Sequence, residues 1–236
     1  MIYDLLPLSL IDDPGHLAAT IFISGCRLRC PFCHNAALQK KQPPRTSVAD
    51  VLRFLKQRQG FLESVAITGG EPLMWPEIDT FMHAVRALGY RIKLDTSGDI
   101  PDRLEQLLRL GLIDYVAMDV KDEKARYGLY APDPKTAERV HRSMALLAAW
   151  APAYELRTTV VPNLHFQDEQ IVRAVDWAYQ AAGTTIARWA LQAYRPSPGV
   201  FDVNRSGHVA TPPSRLQALA RTIEATALVK EVVLRV

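Results

Sequence analysis

Ala18-Ala19-Thr20-Ile21-Phe22-Ile23-Ser24-Gly25-Cys26-Arg27-Leu28-Arg29-Cys30-Pro31-Phe32-Cys33 joins an apolar, β-branched run to a loop that holds every cysteine of the chain. A continuous run of this kind, stopped by a glycine, reads as a strand buried on both faces. Outward from it, strand-like and helix-like segments alternate. Ser47 opens a helix through Arg58, with Asp50 three residues on and Gly60 as the stop. Strands are expected at Ser64–Thr68, Tyr90–Thr96, Ile113–Val120, Tyr154–Val161 and Ile186–Ala193. Helices are expected from Pro76 to Leu88, Pro101 to Leu110, Lys135 to Ala149 and Asp168 to Ala182. A Pro-, Ser- and Gly-rich loop (Arg195–Ser214), a helix near Arg215–Thr226 and a strand at Glu231–Val236 finish the chain. Six βα units and a terminal strand predict an α/β fold, a partial (β/α)6 TIM-type barrel, with a doubly wound open sheet as the alternative.

The composition narrows the class. At 236 residues, with 48% hydrophobic and 22% charged residues, the chain suits one globular domain spanning 1–236. Its formal charge of +3, from 28 Lys+Arg against 25 Asp+Glu, is too small and scattered to argue for nucleic-acid binding. No apolar run reaches the roughly 20 residues a membrane span needs, and Met1–Leu10 lacks the features of a signal peptide. A cytoplasmic protein without membrane partners is expected.

All three cysteines, Cys26, Cys30 and Cys33, lie within eight residues. In a reducing compartment such clustering points to metal or redox chemistry, not a disulfide scaffold. Three thiolates on one short loop can hold a corner of an iron–sulfur cube and leave the fourth iron without a protein ligand. A zinc site completed by His34 and three unligated thiols are the alternatives. Structural zinc sites usually draw two separated ligand pairs, and no second pair exists here.

The C-x3-C-x-aromatic-C spacing, with Phe32 as the aromatic, resembles the signature of radical S-adenosylmethionine (radical SAM) enzymes. The resemblance implies a 4Fe–4S cluster on Cys26, Cys30 and Cys33. Its open iron would chelate SAM, and its reduced form would cleave SAM to methionine and a 5′-deoxyadenosyl radical. Other segments agree. Gly69-Gly70-Glu71-Pro72 is similar to the family's GGEP segment at the SAM amino group, where a carboxylate suits an ammonium. Asp95-Thr96-Ser97-Gly98 and Asp119-Val120-Lys121 resemble the DTNG and D-x-K segments of glycyl-radical activating enzymes, around the SAM ribose and carboxylate. Alternation puts Asp119 and Lys121 on one face, where they could equally be a structural ion pair. Leu156–Pro162 carries Arg157 and resembles I-R-x-x-V-V-P, so Arg157 is expected to face SAM or a peptide. Arg195 stands where the family has a SAM-contacting His. These polar signals follow successive strands, whose C-terminal loops converge on one site in a parallel barrel.

Two details select a subfamily. His34-Asn35 resembles the C-H-N of the activases of pyruvate formate-lyase and anaerobic ribonucleotide reductase. Asp12-Asp13-Pro14-Gly15 resembles their D-x-P-G segment, which would make Asp12 and Gly15 peptide contacts. Asp13 and Leu17 depart from the pyruvate formate-lyase pattern and favour the anaerobic ribonucleoside-triphosphate reductase activating proteins. The resemblance covers about Ile11–Pro196 and implies an enzyme that installs a glycyl radical on a partner enzyme, with flavodoxin or ferredoxin as electron donor. A radical SAM enzyme acting on a small molecule, of the deazaguanine synthase type, is the alternative within the family; a non-catalytic zinc module is the one outside it. The loop Ser197–Ser214, with Phe201 and His208, is expected over the barrel mouth or as a mobile connection.

Overall fold

The computed structural model describes residues 2–236. Eight strands form one sheet in chain order: β1 (Ile2–Ser9), β2 (Ala18–Ile23), β3 (Ser64–Gly69), β4 (Arg91–Thr96), β5 (Tyr115–Asp119), β6 (Tyr154–Val160), β7 (Trp189–Ala193) and β8 (Val232–Arg235). From β2 to β8 every neighbouring pair is parallel, whereas β1 runs antiparallel to β2. Among the described residues β8 pairs only with β7, so the wall stays open between β8 and β1. Residues from both edges, Leu10, Ile11 and Asp12 after β1 and Arg235 on β8, nevertheless line one cavity. The sheet is therefore curved like a barrel with one seam unsealed.

Right-handed crossovers need a helix between parallel strands. These are α1 (Val48–Gln57), α2 (Ile78–Ala87), α3 (Pro101–Arg109), α4 (Thr136–Trp150), α5 (Asp168–Ala182) and α7 (Pro213–Ala225), with a one-turn α6 (Val203–Ser206) in the last long connection. The Ser47 hydroxyl accepts from the Asp50 amide, as the cap signal predicts. Pro101 sits in the first turn of α3. Pro76 lies two residues ahead of α2 instead of inside it.

Strand alternation divides the sheet into two faces. Ile21, Ile23, Val65, Ile67, Ile92, Leu94, Val116, Met118, Leu156 and Leu191 point outward into the helix-covered core. The intervening positions are largely polar: Thr20, Thr68, Lys93, Asp95, Asp119, Glu155, Arg157, Gln192 and Arg235. Two features escaped the sequence reading. β1 carries Pro7 and exposes Leu6 and Leu8, a composition tolerated because an edge strand has one free side. α6 is a single turn capped by the Asp202 side chain, which accepts from the Arg205 amide.

Candidate active site

The cysteine loop leaves β2 at the C-terminal edge of the sheet. Its entry is fixed by backbone bonds from Gly25 to the Leu38 carbonyl (2.7 Å) and from Cys26 to the Gln39 carbonyl (3.1 Å). The middle of the loop donates from the Arg29 amide to the Tyr130 carbonyl at 2.7 Å. Arg27 reaches the buried Asp99 through Nε at 2.8 Å, and Arg139 holds the other oxygen of that carboxylate at 2.7 Å. Leu28, Cys30, Phe32, Tyr130, Val161, Leu164 and Tyr194 form a small second core beneath the loop. The last connection closes over the motif: Phe201 donates to the Cys33 carbonyl (3.1 Å) and Asp202 to the Pro31 carbonyl (2.9 Å). Ser197–Ser214 is thus tied to the cysteine loop, and no residue of it lines the cavities at the barrel mouth.

Cys26, Cys30 and Cys33 all face a cavity of about 230 Å3 at that mouth. Phe32, His34, Gly69, Gly70, Asp95, Thr96, Asp119, Lys121 and Arg157 line it too. Residues from five strand ends thus meet the cysteine loop, as converging barrel loops require. All three thiols are free. Burial pushes Cys26 up to about 12 and Cys30 up to about 11, so cluster assembly must displace their protons. Among the described residues no three His, Cys, Asp or Glu side chains converge on the position of a single metal ion. His34 turns its Nε2 to the Arg195 carbonyl at 2.6 Å instead. Three separate thiols around one cavity fit an iron–sulfur cube, in which each iron takes its own ligand.

The opposite wall is a charged network. Asp119 meets Lys121 Nζ and Arg157 Nε at 2.6 Å each. Burial alone would raise this carboxyl, but the two cations outweigh it and hold Asp119 well below the usual range. Asp95 is lowered in the same way by Arg157 and Lys93 against burial, and it also accepts from Thr68 at 3.0 Å. Lys121 is thus both in an ion pair and at the cavity, so the two readings of Asp119-Val120-Lys121 are compatible. A wall with fixed carboxylates and fixed cations suits a ligand carrying an ammonium, a carboxylate and hydroxyls, as SAM does.

Glu71 differs from expectation. Its carboxylate lies behind the cavity wall, 1% exposed, and accepts from Thr96 Oγ1 (2.9 Å), the Ser97 amide (2.8 Å), Ser97 Oγ (2.5 Å) and the Leu73 amide (3.2 Å). Four neutral donors leave no room for an ammonium, so Glu71 braces the β3 and β4 turns. The glycines before it present backbone to the cavity. A Cβ on Gly69 would strike the Ile23 carbonyl, and one on Gly70 the Gly25 carbonyl, so only glycine lets β3 close against β2 here. Gly15 also falls outside: it is an exposed turn residue at φ +85° before β2, and neither cavity includes it.

Asp12 lines a second cavity of about 600 Å3 at the seam, together with Lys93, Arg195 and Arg235. The two cavities share His34, Arg157 and Gln192. Arg195 belongs to this second chamber and not to the first, and its carbonyl supports His34. Thr68, Ser97, Thr159 and Gln192 line the first cavity but were not anticipated. Their signal was available, since each follows the inward alternation or trails a strand end already marked by a motif.

Comparison with known proteins agrees with this geometry. The sequence model of the radical SAM superfamily matches residues 20–178. A Methanocaldococcus jannaschii protein whose name assigns it glycyl-radical enzyme activation is 27% identical over 174 residues, 72% of each chain. A 7-carboxy-7-deazaguanine synthase of Hyperthermus butylicus is 31% identical over 118 residues, 48% of this chain and 47% of that one. The crystal structure of Streptococcus suis SuiB bound to S-adenosylmethionine superposes with a TM-score of 0.67 at 16% identity, covering 92% of this chain and 52% of SuiB. That likeness is one of fold.

Proposed function

The chain belongs to the radical SAM superfamily, with a 4Fe–4S cluster and SAM as its cofactors, and we propose that within it this protein installs a glycyl radical on a partner enzyme. Anaerobic ribonucleoside-triphosphate reductase is the partner we infer, with flavodoxin or ferredoxin as electron donor. The observation that carries the reading is the open seam. Asp12 faces a chamber of about 600 Å3 that shares a wall with the cysteine cavity and opens between β1 and β8. An extended segment of another protein can enter there without unfolding its owner.

Cys26, Cys30 and Cys33 would ligate the cluster, and Asp95, Thr96, Asp119, Lys121 and Arg157 would hold SAM. When bound, cluster and SAM supply the radical that abstracts a hydrogen atom. The protein contributes orientation. Asp119 and Lys121 fix the charged groups of the ligand, and Phe32 lies with its ring centroid 5.8 Å from Lys121 Nζ. The connection bonded to the Cys33 and Pro31 carbonyls braces the cysteine loop. Asp12, half-buried and held by the Thr20 hydroxyl at 2.5 Å, is placed to accept from an incoming peptide amide.

Mixing reduced, reconstituted protein with SAM and the reductase is expected to give a glycyl-radical doublet in electron paramagnetic resonance. Asp12→Ala should lower the doublet at least about ten-fold, the equivalent of 1.4 kcal/mol, while SAM cleavage continues. SAM turnover with no radical on any glycyl-radical partner, accompanied by modification of a small molecule, would transfer the assignment to the second reading. That reading, a small-molecule enzyme of the deazaguanine synthase type, has its own support in the H. butylicus relative.

A further inference from the structure

After β6 the chain turns through Val161-Pro162-Asn163-Leu164-His165, and the turn carries an imidazole back towards the end of β5. His165 is 1% exposed and lines neither cavity. Its partners assign both ring nitrogens. Nδ1 lies 2.9 Å from the Val161 amide, which can only donate, so Nδ1 is the acceptor. The proton therefore sits on Nε2, which donates to the Lys121 carbonyl at 3.0 Å. Burial lowers the His165 pKa against the opposing pull of Asp122, and the ring keeps the neutral form that this tautomer needs. Lys121 stands two residues past the end of β5, where the strand ladder no longer holds its backbone. Its amide donates to the hydroxyl of the buried Tyr127 at 3.1 Å. Side chains from two connections thus take both backbone polar groups of Lys121, and neither side chain reaches a cavity. The next residue is held as firmly. Asp122 accepts from the Tyr130 hydroxyl (2.8 Å) and Arg126 Nε (2.9 Å), and the Tyr130 carbonyl accepts from Arg29 in the cysteine loop.

We infer that His165 and Tyr127 are positioning residues for SAM, clamping the backbone of Lys121 so that its ammonium is pre-set at the cavity wall. This rests on the reading that Lys121 holds SAM, and it is independent of which substrate the radical attacks. Lys121 needs such support more than its partners do. Asp119 and Arg157 stand on regular strands, whereas the lysine ammonium rides on a flexible four-carbon stem beyond one. With the backbone fixed at both its amide and its carbonyl, Nζ is delivered to Asp119 at 2.6 Å and to the cavity. A group held in place before the ligand arrives loses less freedom on binding, and affinity rises accordingly. A purely structural histidine would matter by the number of bonds it makes. A positioning histidine matters by which bond it makes, and here that is the one to Lys121.

The test measures SAM binding to the anaerobically reconstituted protein by equilibrium dialysis without reductant, beside iron content and thermal melts. His165→Asn and His165→Gln divide the two functions of the ring. The Asn oxygen takes the place of Nδ1 and keeps the Val161 bond, whereas the Gln amide nitrogen takes the place of Nε2 and keeps the Lys121 bond. His165→Asn is expected to weaken SAM binding at least about ten-fold, and His165→Gln less than about three-fold. Tyr127→Phe, which removes one oxygen, should match His165→Asn, and all three variants should keep their iron. His165→Asn added to Lys121→Ala should weaken SAM no further than Lys121→Ala does alone, because both act through one ammonium. Wild-type SAM affinity in His165→Asn and Tyr127→Phe, beside a weakened Lys121→Ala, defeats the inference alone. Equal losses in His165→Asn and His165→Gln, losses that follow the melting temperature, or loss of iron defeat it too. Wild-type affinity in Lys121→Ala defeats the reading of Lys121 and the inference together.

Discussion

The two faces of the sheet are built from the same seven parallel strands, yet they differ in almost every physical respect. Outward positions such as Ile67, Ile92, Val116 and Leu191 are fully buried against helices. The inward positions that follow on the same strands, Thr68, Lys93, Asp119 and Gln192, line the cavities, with Lys93 and Asp119 held in ion pairs. A closed (β/α)8 barrel fills its interior with layers of branched apolar side chains. Here the interior is charged and the seam is open, so stability must come from the outside. The lesson is a division of labour within each strand, in which odd and even residues answer to different demands.

Substitutions on the two faces should therefore separate stability from ligand binding. The largest effect is expected outside: Ile67→Ala should cost about 2–5 kcal/mol of unfolding free energy, read by denaturant titration, with SAM affinity of the folded fraction unchanged. Glu71 tests the boundary between the faces. Glu71→Ala leaves the Thr96, Ser97 and Leu73 donors without their acceptor, and about 1–3 kcal/mol of stability should be lost together with some SAM affinity. A Glu71→Ala protein of wild-type stability that no longer binds SAM would show that the carboxylate contacts the ligand after all.

The parts of this division that were legible in the sequence were those with local chemistry. Gly69-Gly70-Glu71, Asp95-Thr96 and Asp119-Val120-Lys121 marked the strand ends, and C-x3-C-x2-C marked the loop that faces them. The direction of the Glu71 side chain was not legible. It depends on Thr96 and Ser97, 25 and 26 residues away, and no local pattern encodes a long-range acceptor. β1 was missed because Pro7 and the exposed leucines look unlike a buried strand. Lys93 was passed over because a single lysine within an apolar run carries no motif; only the packed sheet shows which face it takes. The same holds for Asp12 and Gly15, three residues apart in one segment, of which only Asp12 reaches a cavity.

The central claim is that the inward charges act on the ligand and not on the fold, and Lys121 tests it with the smallest structural disturbance. Removing it leaves Asp119 paired with Arg157 at 2.6 Å, so Lys121→Ala should cost less than the about 3–5 kcal/mol of leaving a buried charge with no partner. A SAM titration of the anaerobically reconstituted proteins, run beside their thermal melts, is predicted to show at least about a ten-fold loss of affinity in a protein that still melts cooperatively near the wild-type temperature. Unchanged SAM affinity in a protein that melts several degrees lower would contradict the account and make the Asp119–Lys121 pair a structural strut.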